Sequence, residues 1–494
     1  MQRVPKLPIS AARSAPNNRT QRFAAAACFL TAALTILLSA RCCAAQQAIP
    51  SFATAAAARA WAEAEEHAGN LSLASTAYYK EAAMRRSQGD EQAAEVEELR
   101  ASRVATDIAL AVPVQNTDEP LRLAKLEPRQ GCLIGVRDEE GTNADSFTQR
   151  LCRPISIVYD YLAYGDPFPM NWAQDQARAG RAIQIAWEPA DIHAVLDDEY
   201  LEGFAQDAAR CGTGVFIRFG GEMNGSWTTW GSDPAAYVAA FRTVHDVMAR
   251  FAPNAAMVWA PNQVPLSNID RYYPGDRYVD WVGISVYTVR DYDDDLSRPA
   301  FYDSPATMIE PFYKKYAARK PICLVECGVS RRSKVENTDA DDYAAARICD
   351  LMNAVRVRFP RLKMLCFFDR NNLTGAIPGR RLNDYSLADG SLALQALKQA
   401  ASDPYFLFRY SPGGESLDAY EKIGQSLPVG FSGPILASII TYDLHPALSI
   451  KQGDKTQTIY RPYWGRIEAH AGPVTVTVID SKGRIAGMRA LSAP

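Results

Sequence analysis

The stretch GVFIRFGGEMNGSWTTWG, residues 214–231, decides the reading of this chain. An apolar run, GVFI, leads straight into Arg218 and Glu222, then into Asn224, Trp227 and Trp230 set among glycines. A short apolar run bounded by glycines reads as a buried strand. A carboxylate closing such a strand is costly to bury unless it has partners or chemical work. Seven more apolar runs share the pattern: CLIGV (132–136), ISIVYDY (155–161), AIQIAWEP (182–189), AMVWAPN (256–262), VDWVGISVY (279–287), PICLVECG (321–328) and KMLCFFD (363–369). Amphipathic helical stretches lie between them, among them DPAAYVAAFRTVHDVMARF and DADDYAAARICDLMNAVRVRF. Eight strands alternating with helices across residues 131–405 predict an α/β fold, a (β/α)8 TIM barrel. An open doubly wound sheet is the alternative, but no glycine-rich phosphate loop follows the first strand.

In such a barrel, chemistry sits at the C-terminal ends of the strands. Glu222 closes the fourth apolar run and Glu326 the seventh. Two carboxylates facing one mouth suit glycoside hydrolysis, in which one protonates the leaving oxygen and the other attacks the anomeric carbon. The other strand ends agree. Trp187 and Glu188 end the third run, Trp259 and Asn262 the fifth and Tyr287 the sixth, while Asn224 and Trp227 follow Glu222. Sugars offer C–H faces to aromatic rings and hydroxyls to polar groups, so a cleft lined this way suits them. Taken singly, each tryptophan has a structural reading; their shared position at strand ends makes them candidates. Arg218, four residues before Glu222, is placed to hold a carboxylate ionised, or to form a structural ion pair in the mouth.

Arg218, Glu222, Met223, Asn224, Gly225 and Trp227, as R-x-x-x-E-M-N-G-x-W, resemble the acid/base motif of glycoside hydrolase family 26, in glycoside hydrolase clan A. The likeness extends to WAPN (259–262), YYPGDRYVDWVGISVY (272–287) and LVECG (324–328). It covers the barrel and neither flank. The family is mainly of secreted endo-acting enzymes on β-mannans, with some acting on other β-glucans and β-xylans. The resemblance implies Glu222 as acid/base, Glu326 as nucleophile, Tyr287 as the residue bonded to the nucleophile, and Trp227 as a wall of the sugar site. It implies no metal and no organic cofactor. Three positions depart from the family pattern. Gly221 stands where the family usually has His, Ser285 where Asp is common, and Phe367, Phe368 and Asp369 where a Trp is expected. The departures leave both glutamates in place and alter the residues around the sugar.

The flanks read differently. Residues 1–22 carry Arg3, Lys6, Arg13, Arg19 and Arg22 and no acid, and Phe23–Ser39 is apolar. With small residues to Ala45, this predicts a secretory signal over 1–45; an uncleaved signal that anchors the chain in a membrane is the alternative. Export implies an oxidising compartment. Of the seven cysteines after residue 45, Cys132 and Cys152 are a candidate disulfide, whereas Cys323 and Cys366 read as buried thiols. Residues 46–112 are Ala- and Glu-rich with breaks at Gly69–Asn70 and Gly89–Asp90, resembling a tetratricopeptide-type helical hairpin. That region is either a collar on the next domain or a module for an envelope protein partner. Residues 113–130 read as a linker, and 406–494 as a β-rich accessory domain.

The chain has 494 residues, 48% hydrophobic and 22% charged, with a net charge of −3. That balance gives no pull toward nucleic acid. The acidic run Asp291–Asp295 reads as a solvated loop, and Arg370, Arg380 and Arg381 lie on the loop after the last barrel strand. The expected function is a secreted or periplasmic retaining hydrolase of a β-linked polysaccharide, mannan-like or an exopolysaccharide. A non-catalytic carbohydrate-binding protein on a degenerate barrel is the alternative. A role in trimming or exporting the cell's own polymer is a third reading, motivated by the helical segment.

Overall fold

The structure is a computed structural model that describes residues 49–492, apart from 69, 115–122, 140–142, 297–299, 302, 412–418, 429–430, 432, 442, 461–465 and 470–471. The expected signal segment lies outside the described residues. Among the described residues no helix is long and apolar enough to cross a membrane.

Three helices come first: α1 (Ala55–His67), α2 (Leu71–Ser87) and α3 (Glu91–Ala105). The breaks fall where the glycines predicted them. The result is three successive helices rather than one hairpin. Ala62, Ala74, Ala77 and Ala101 pack around Tyr78 between them, and small side chains let the helices approach closely. A strand follows, β1 (Asp107–Val114).

The barrel then runs β2 (Cys132–Arg137), α4 (Asn143–Leu151), β3 (Ile157–Ala163), α5 (Met170–Arg178), β4 (Ala182–Glu188), α6 (Glu199–Arg210), β5 (Val215–Phe219), α7 (Pro234–Phe251), β6 (Ala255–Trp259), β7 (Trp281–Thr288), α8 (Pro305–Tyr316), β8 (Ile322–Val329), α9 (Asp341–Val357), β10 (Leu362–Phe367) and α10 (Leu392–Ala400), with two-residue strands β9 (Arg332–Ser333) before α9, β11 (Asn383–Asp384) before α10 and β12 (Phe406–Leu407) after it. The eight long strands pair in parallel in chain order, and β10 pairs with β2 to close the ring. This is the expected (β/α)8 barrel. Helix starts follow the predicted chemistry: Asp198 caps α6, and Asp233 caps α7 with Pro234 in its first turn.

Alternation along each strand sorts side chains between two cores. Leu133, Ile157, Tyr159, Phe216, Val258, Trp281 and Met364 fill the lumen. Ile134, Val158, Ile185, Trp187, Phe219 and Trp259 face the helices. Strand β8 breaks the alternation. Ile284 pairs with Leu324 but Ser285 pairs with Glu326, and on the other side Leu365 pairs with Leu324 but Phe367 with Cys327. One extra residue is therefore accommodated between Leu324 and Cys327, a β-bulge. Cys323 and Val325 face the lumen, and the bulge lets Glu326 do so as well.

The C-terminal region is a sandwich of two antiparallel sheets. One contains β13 (Ala419–Lys422), β1, β14 (Gly433–Ile440) and β17 (Arg466–Ala469), in that order. The other contains β16 (Lys455–Tyr460), β15 (Ala447–Gln452), β18 (Val474–Ile479) and β19 (Ile485–Leu491). So the stretch assigned to the end of the helical region and the start of a linker is instead a central strand. Its Ile108, Leu110 and Val112 join Ile435, Ala437, Ile439, Leu448, Ile450, Val476 and Val478 in the sandwich core. Its Ala109 and Ala111, with Leu436, meet Val357 of α9 on the opposite face. The missed signal is the alternation Ile108, Leu110, Val112, obscured by Pro113 near the strand end. Residues 123–130, also read as linker, close the bottom of the barrel: Lys125 Nζ donates to Ala255 O at 2.9 Å, Trp281 Nε1 donates to Lys125 O at 2.7 Å, and Glu127 pairs with Arg361 at 3.1 Å. The seven cysteines Cys132, Cys152, Cys211, Cys323, Cys327, Cys349 and Cys366 are all free, with Cys132 buried and Cys152 exposed, so the candidate disulfide is not formed.

Leu110 is fully buried in the sandwich although it precedes the barrel in sequence. Leu110→Ala is expected to destabilise that domain by about 2–5 kcal/mol, read as a lowered unfolding midpoint and earlier proteolysis after residue 405. Val96→Ala, at an exposed helical site, is expected to leave both unchanged.

Candidate active site

Arg218 is the last inward-facing residue of β5, with its side chain buried in the lumen. Its row is Tyr161 on β3, Ala186 on β4 and Arg218 on β5, paired side by side. Ala186 is small, so the two long side chains converge across it. Arg218 Nη1 forms an ion pair with Glu326 Oε1, and Nη2 lies 3.4 Å from Ser285 Oγ. Nη2 also lies 3.9 Å from Glu222 Oε1. One guanidinium thus stands between the two glutamates.

Glu326 is buried and its oxygens are fully engaged. Tyr161 Oη donates to Oε1 at 2.5 Å and Tyr287 Oη donates to Oε2 at 2.7 Å. Burial by itself pushes the carboxyl up, but the Arg218 charge and the hydrogen bonds from Tyr161, Arg218 and Tyr287 outweigh it and hold Glu326 below the usual carboxylate range. Burial, with the Glu326 charge, pushes both tyrosine hydroxyls well above their ordinary values, so they remain donors. Arg218 is held charged: burial opposes this, and Glu326 overrides it.

Glu222 is reached by a turn. Strand β5 ends at Phe219, Gly220 takes φ 53°, and Glu222 takes φ 58°. A glutamate in the left-handed region costs about 1–3 kcal/mol and persists only where its surroundings over-determine it. They do so here. Glu222 N donates to Ala260 O at 2.8 Å and Gly225 N to Glu222 O at 2.9 Å. Trp227 Nε1 donates to Glu222 Oε2 at 2.8 Å and Asn262 Nδ2 to Oε1 at 3.0 Å. Trp227 is exposed, its indole lying over Gly225, where a β-carbon would sit 2.4 Å from the ring. Gly221 has a similar reason: a β-carbon there would lie 2.4 Å from Arg218 Nε.

The predicted residues thus divide. Glu222, Glu326, Arg218, Trp227, Tyr287 and Asn262 converge on one site, and Glu188 faces the same mouth from the end of β4. Asn224 was expected to touch sugar, but its amide is consumed within the protein: Nδ2 donates to Asn262 O and Pro265 O, each at 2.9 Å, and Oδ1 accepts from Asn262 N at 2.7 Å. It fixes the loop that carries Asn262. Trp187 and Trp259 are corrections. Both are fully buried, Trp187 stacked on Phe204 of α6 at 3.9 Å and Trp259 edge-on to Tyr273 at 4.9 Å. Each is one residue out of phase with the inward set of its strand, so neither reaches a ligand in the mouth. Tyr161 was missed; it ends the run ISIVYDY and so obeyed the same strand-end rule. Of the loop arginines, Arg370 pairs with Glu139 at 2.7 Å and Arg381 donates to Ala376 O at 2.8 Å, both bound within the rim. A cavity of about 680 Å³ beside α5, lined by Asp160, Trp172, Gln176 and Arg181 among others, shares Tyr161 with the site and contains neither glutamate. Among the described residues no group of three or more His, Cys, Asp or Glu side chains is arranged to hold a metal ion.

Residues 198–308 match the profile of the family described as Glycosyl hydrolase family 26. Endoglucanase H of Acetivibrio thermocellus is 25% identical over 291 residues, which is 55% of this chain and 30% of that protein. Mannan endo-1,4-beta-mannosidase A and B of Caldalkalibacillus mannanilyticus is 25% identical over 161 residues, 30% of this chain and 27% of that protein. The chain therefore spans less than a third of the length of either relative. A GH26 beta-mannanase structure from Bacteroides ovatus covers 57% of this chain and 91% of its own, at 16% identity and a TM-score of 0.39; the barrel assignment rests on the strand pairing described above. The matched segment runs from α6 into α8 and contains Glu222, so this part of the barrel is similar to glycoside hydrolase family 26.

Proposed function

We propose that the chain is a retaining glycoside hydrolase acting on a β-linked polysaccharide, with Glu326 as nucleophile and Glu222 as acid/base. The observation that carries this reading is the pair of glutamates on either side of the Arg218 guanidinium, in unlike surroundings. Glu326 is buried, charge-paired and held ionised, as a nucleophile must be. Glu222 sits nearer the surface, where its carboxyl accepts hydrogen bonds from the indole of Trp227 and the amide of Asn262. Both flank one guanidinium, and retaining enzymes hold their two carboxyl groups roughly 5–5.5 Å apart on one side of the scissile bond.

The reaction proceeds in two displacements. Glu326 attacks the anomeric carbon while Glu222 gives its proton to the departing glycosidic oxygen. Glu222 then takes a proton from water, which attacks the same carbon and releases Glu326. Tyr161 and Tyr287 hold the attacking carboxylate in line. Export by the 1–45 segment, action on a mannan-like polymer or an exopolysaccharide, and an envelope partner for residues 46–112 are further parts of this proposal, each resting on sequence. The binding-protein alternative is disfavoured by Arg218: a lectin has no need of a buried cation that keeps one carboxylate charged.

The direct test is to incubate the full chain with mannans, mixed-linkage glucan, xylans and bacterial exopolysaccharides and to weigh the products. Glu326→Ala is expected to release none, and added azide to return an α-glycosyl azide. Glu222→Ala is expected to lose about 10²–10⁴-fold and to give the β-glycosyl azide. Unchanged turnover in Glu326→Ala would exclude it as nucleophile.

Two further outcomes follow from the geometry. The folded-state carboxyl of Glu326 lies below its ordinary value, so activity is present above it and lost as pH falls through it. Arg218→Gln removes the strongest lowering influence and leaves burial in place, so the acid limb of the kcat/KM profile is expected to move to higher pH. Tyr161→Phe deletes one hydrogen bond to a charged group and is expected to lower kcat/KM by about 10–100-fold, with the acid limb shifted in the same direction.

A further inference from the structure

The site holds a third carboxyl that the mechanism above does not use. Glu188 ends β4, directly above Ala186 on the inward face of that strand, in the phase set by Ala182 and Gln184. Its partner across the ladder on β3 is Ala163, and on its other side the chain of β5 has already turned into Gly220 and Gly221. Its immediate neighbours on the ladder therefore carry nothing longer than a methyl group, and Tyr161 and Arg218 lie one row below. Glu188 is half-buried, and among the described residues no donor lies within hydrogen-bond or ion-pair distance of its carboxyl. Charges nevertheless surround it. Arg218, Glu326, Glu222 and Arg380 all act on it, and burial with the two glutamates pushes it up from its ordinary value. A carboxyl left half-buried without a donor is a cost that natural sites carry when a ligand supplies the partner.

We propose that Glu188 reads the sugar at the cleaved bond, accepting hydrogen bonds from its hydroxyl or ammonium groups and rejecting a uronate in that place. The inference rests on the hydrolase reading and narrows its substrate class to neutral or amino sugars. Attraction comes from the unpaired oxygens. Rejection comes from charge: Glu222 and Glu326 already flank the Arg218 guanidinium and act on Glu188 beside them, so a further carboxyl on the substrate would find like charges in a partly desolvated site. A sugar donor relieves the same repulsion. Ala163, its neighbour on β3, is small, so no side chain at that position stands over the carboxyl. Its place at the strand end, outside the Arg218-paired glutamates, makes Glu188 a specificity residue rather than a member of the proton-transfer pair.

The test uses the full chain with wild type, Glu188→Gln and Glu188→Ala, on mannan, mixed-linkage glucan, chitosan and alginate. Wild type is expected to cleave a neutral or amino-sugar polymer and not alginate. Glu188→Ala is expected to raise KM about tenfold or more, the loss of one hydrogen bond to a charged group, with kcat reduced less. The two donor types separate on Glu188→Gln: its amide oxygen still accepts from a hydroxyl, so activity on a neutral polymer largely returns, whereas a polymer read through its ammonium group stays impaired. Because Glu188 has no hydrogen-bond or ion-pair partner among the described residues, the unfolding midpoint of Glu188→Ala is expected to equal or exceed that of wild type; a purely structural role would lower it. An active enzyme whose KM ignores Glu188→Ala, or one that cleaves alginate as readily as the others, overturns the inference and leaves the hydrolase reading standing. If wild type cleaves nothing, the hydrolase reading fails, and calorimetric binding of the corresponding oligosaccharides decides the role of Glu188: equal affinity in wild type and Glu188→Ala overturns it.

Discussion

A guanidinium buried inside a closed barrel has to be surrounded by groups that make its charge tolerable, and much of this site follows from that demand. Arg218 has almost no solvent, so Glu326 must be ionised beside it, and Ser285 lies within reach of its second nitrogen. Its side chain fills the space that a β-carbon at residue 221 would need, which explains the glycine before Glu222. It converges with Tyr161 only because Ala186 between them is small. The charge of one residue thus accounts for the identity of several neighbours.

The second constraint is the bulge in β8. With strict alternation, a strand that points Cys323 and Val325 into the lumen would turn Glu326 toward the helices. The extra residue between Leu324 and Cys327 reverses that and gives the buried arginine its counter-charge. Glu222 is re-aimed by a different device, a left-handed turn fixed by hydrogen bonds from Trp227 and Asn262. The two carboxylates therefore meet through two separate departures from regular strand geometry. Departures of this kind gather where function asks for a side-chain direction that the ladder does not supply.

The flanks matter for the barrel itself. Helix α9 is buried along its whole length, between the barrel and the sheet that β1 completes. Arg347 reaches from it to Phe301 O at 2.8 Å and Thr441 O at 3.2 Å, and Arg358 beyond its end donates to Ser438 Oγ at 2.8 Å. The sandwich is made from chain before and after the barrel: its central strand β1 pairs with β13 and β14.

The amino-acid sequence by itself determined the eight strands, their order, the two glutamates and the position of Arg218 beside them. These are local properties: runs of apolar residues, the glycines that end them, and a polar residue at each end. It also placed the breaks between the first helices. Only the tertiary structure decided which way the strand-end residues point. Trp187 and Trp259 closed their strands as Glu188 and Asn262 did, yet alternation turns them into the helical layer. Glu326 faces inward because neighbouring strands impose a register that its own strand does not encode. The strand at Asp107–Val114 found its place through pairing with residues more than 300 positions away. Side-chain direction and pairing are set by contacts across the ladder, and such contacts carry no signature at fixed spacing along the chain.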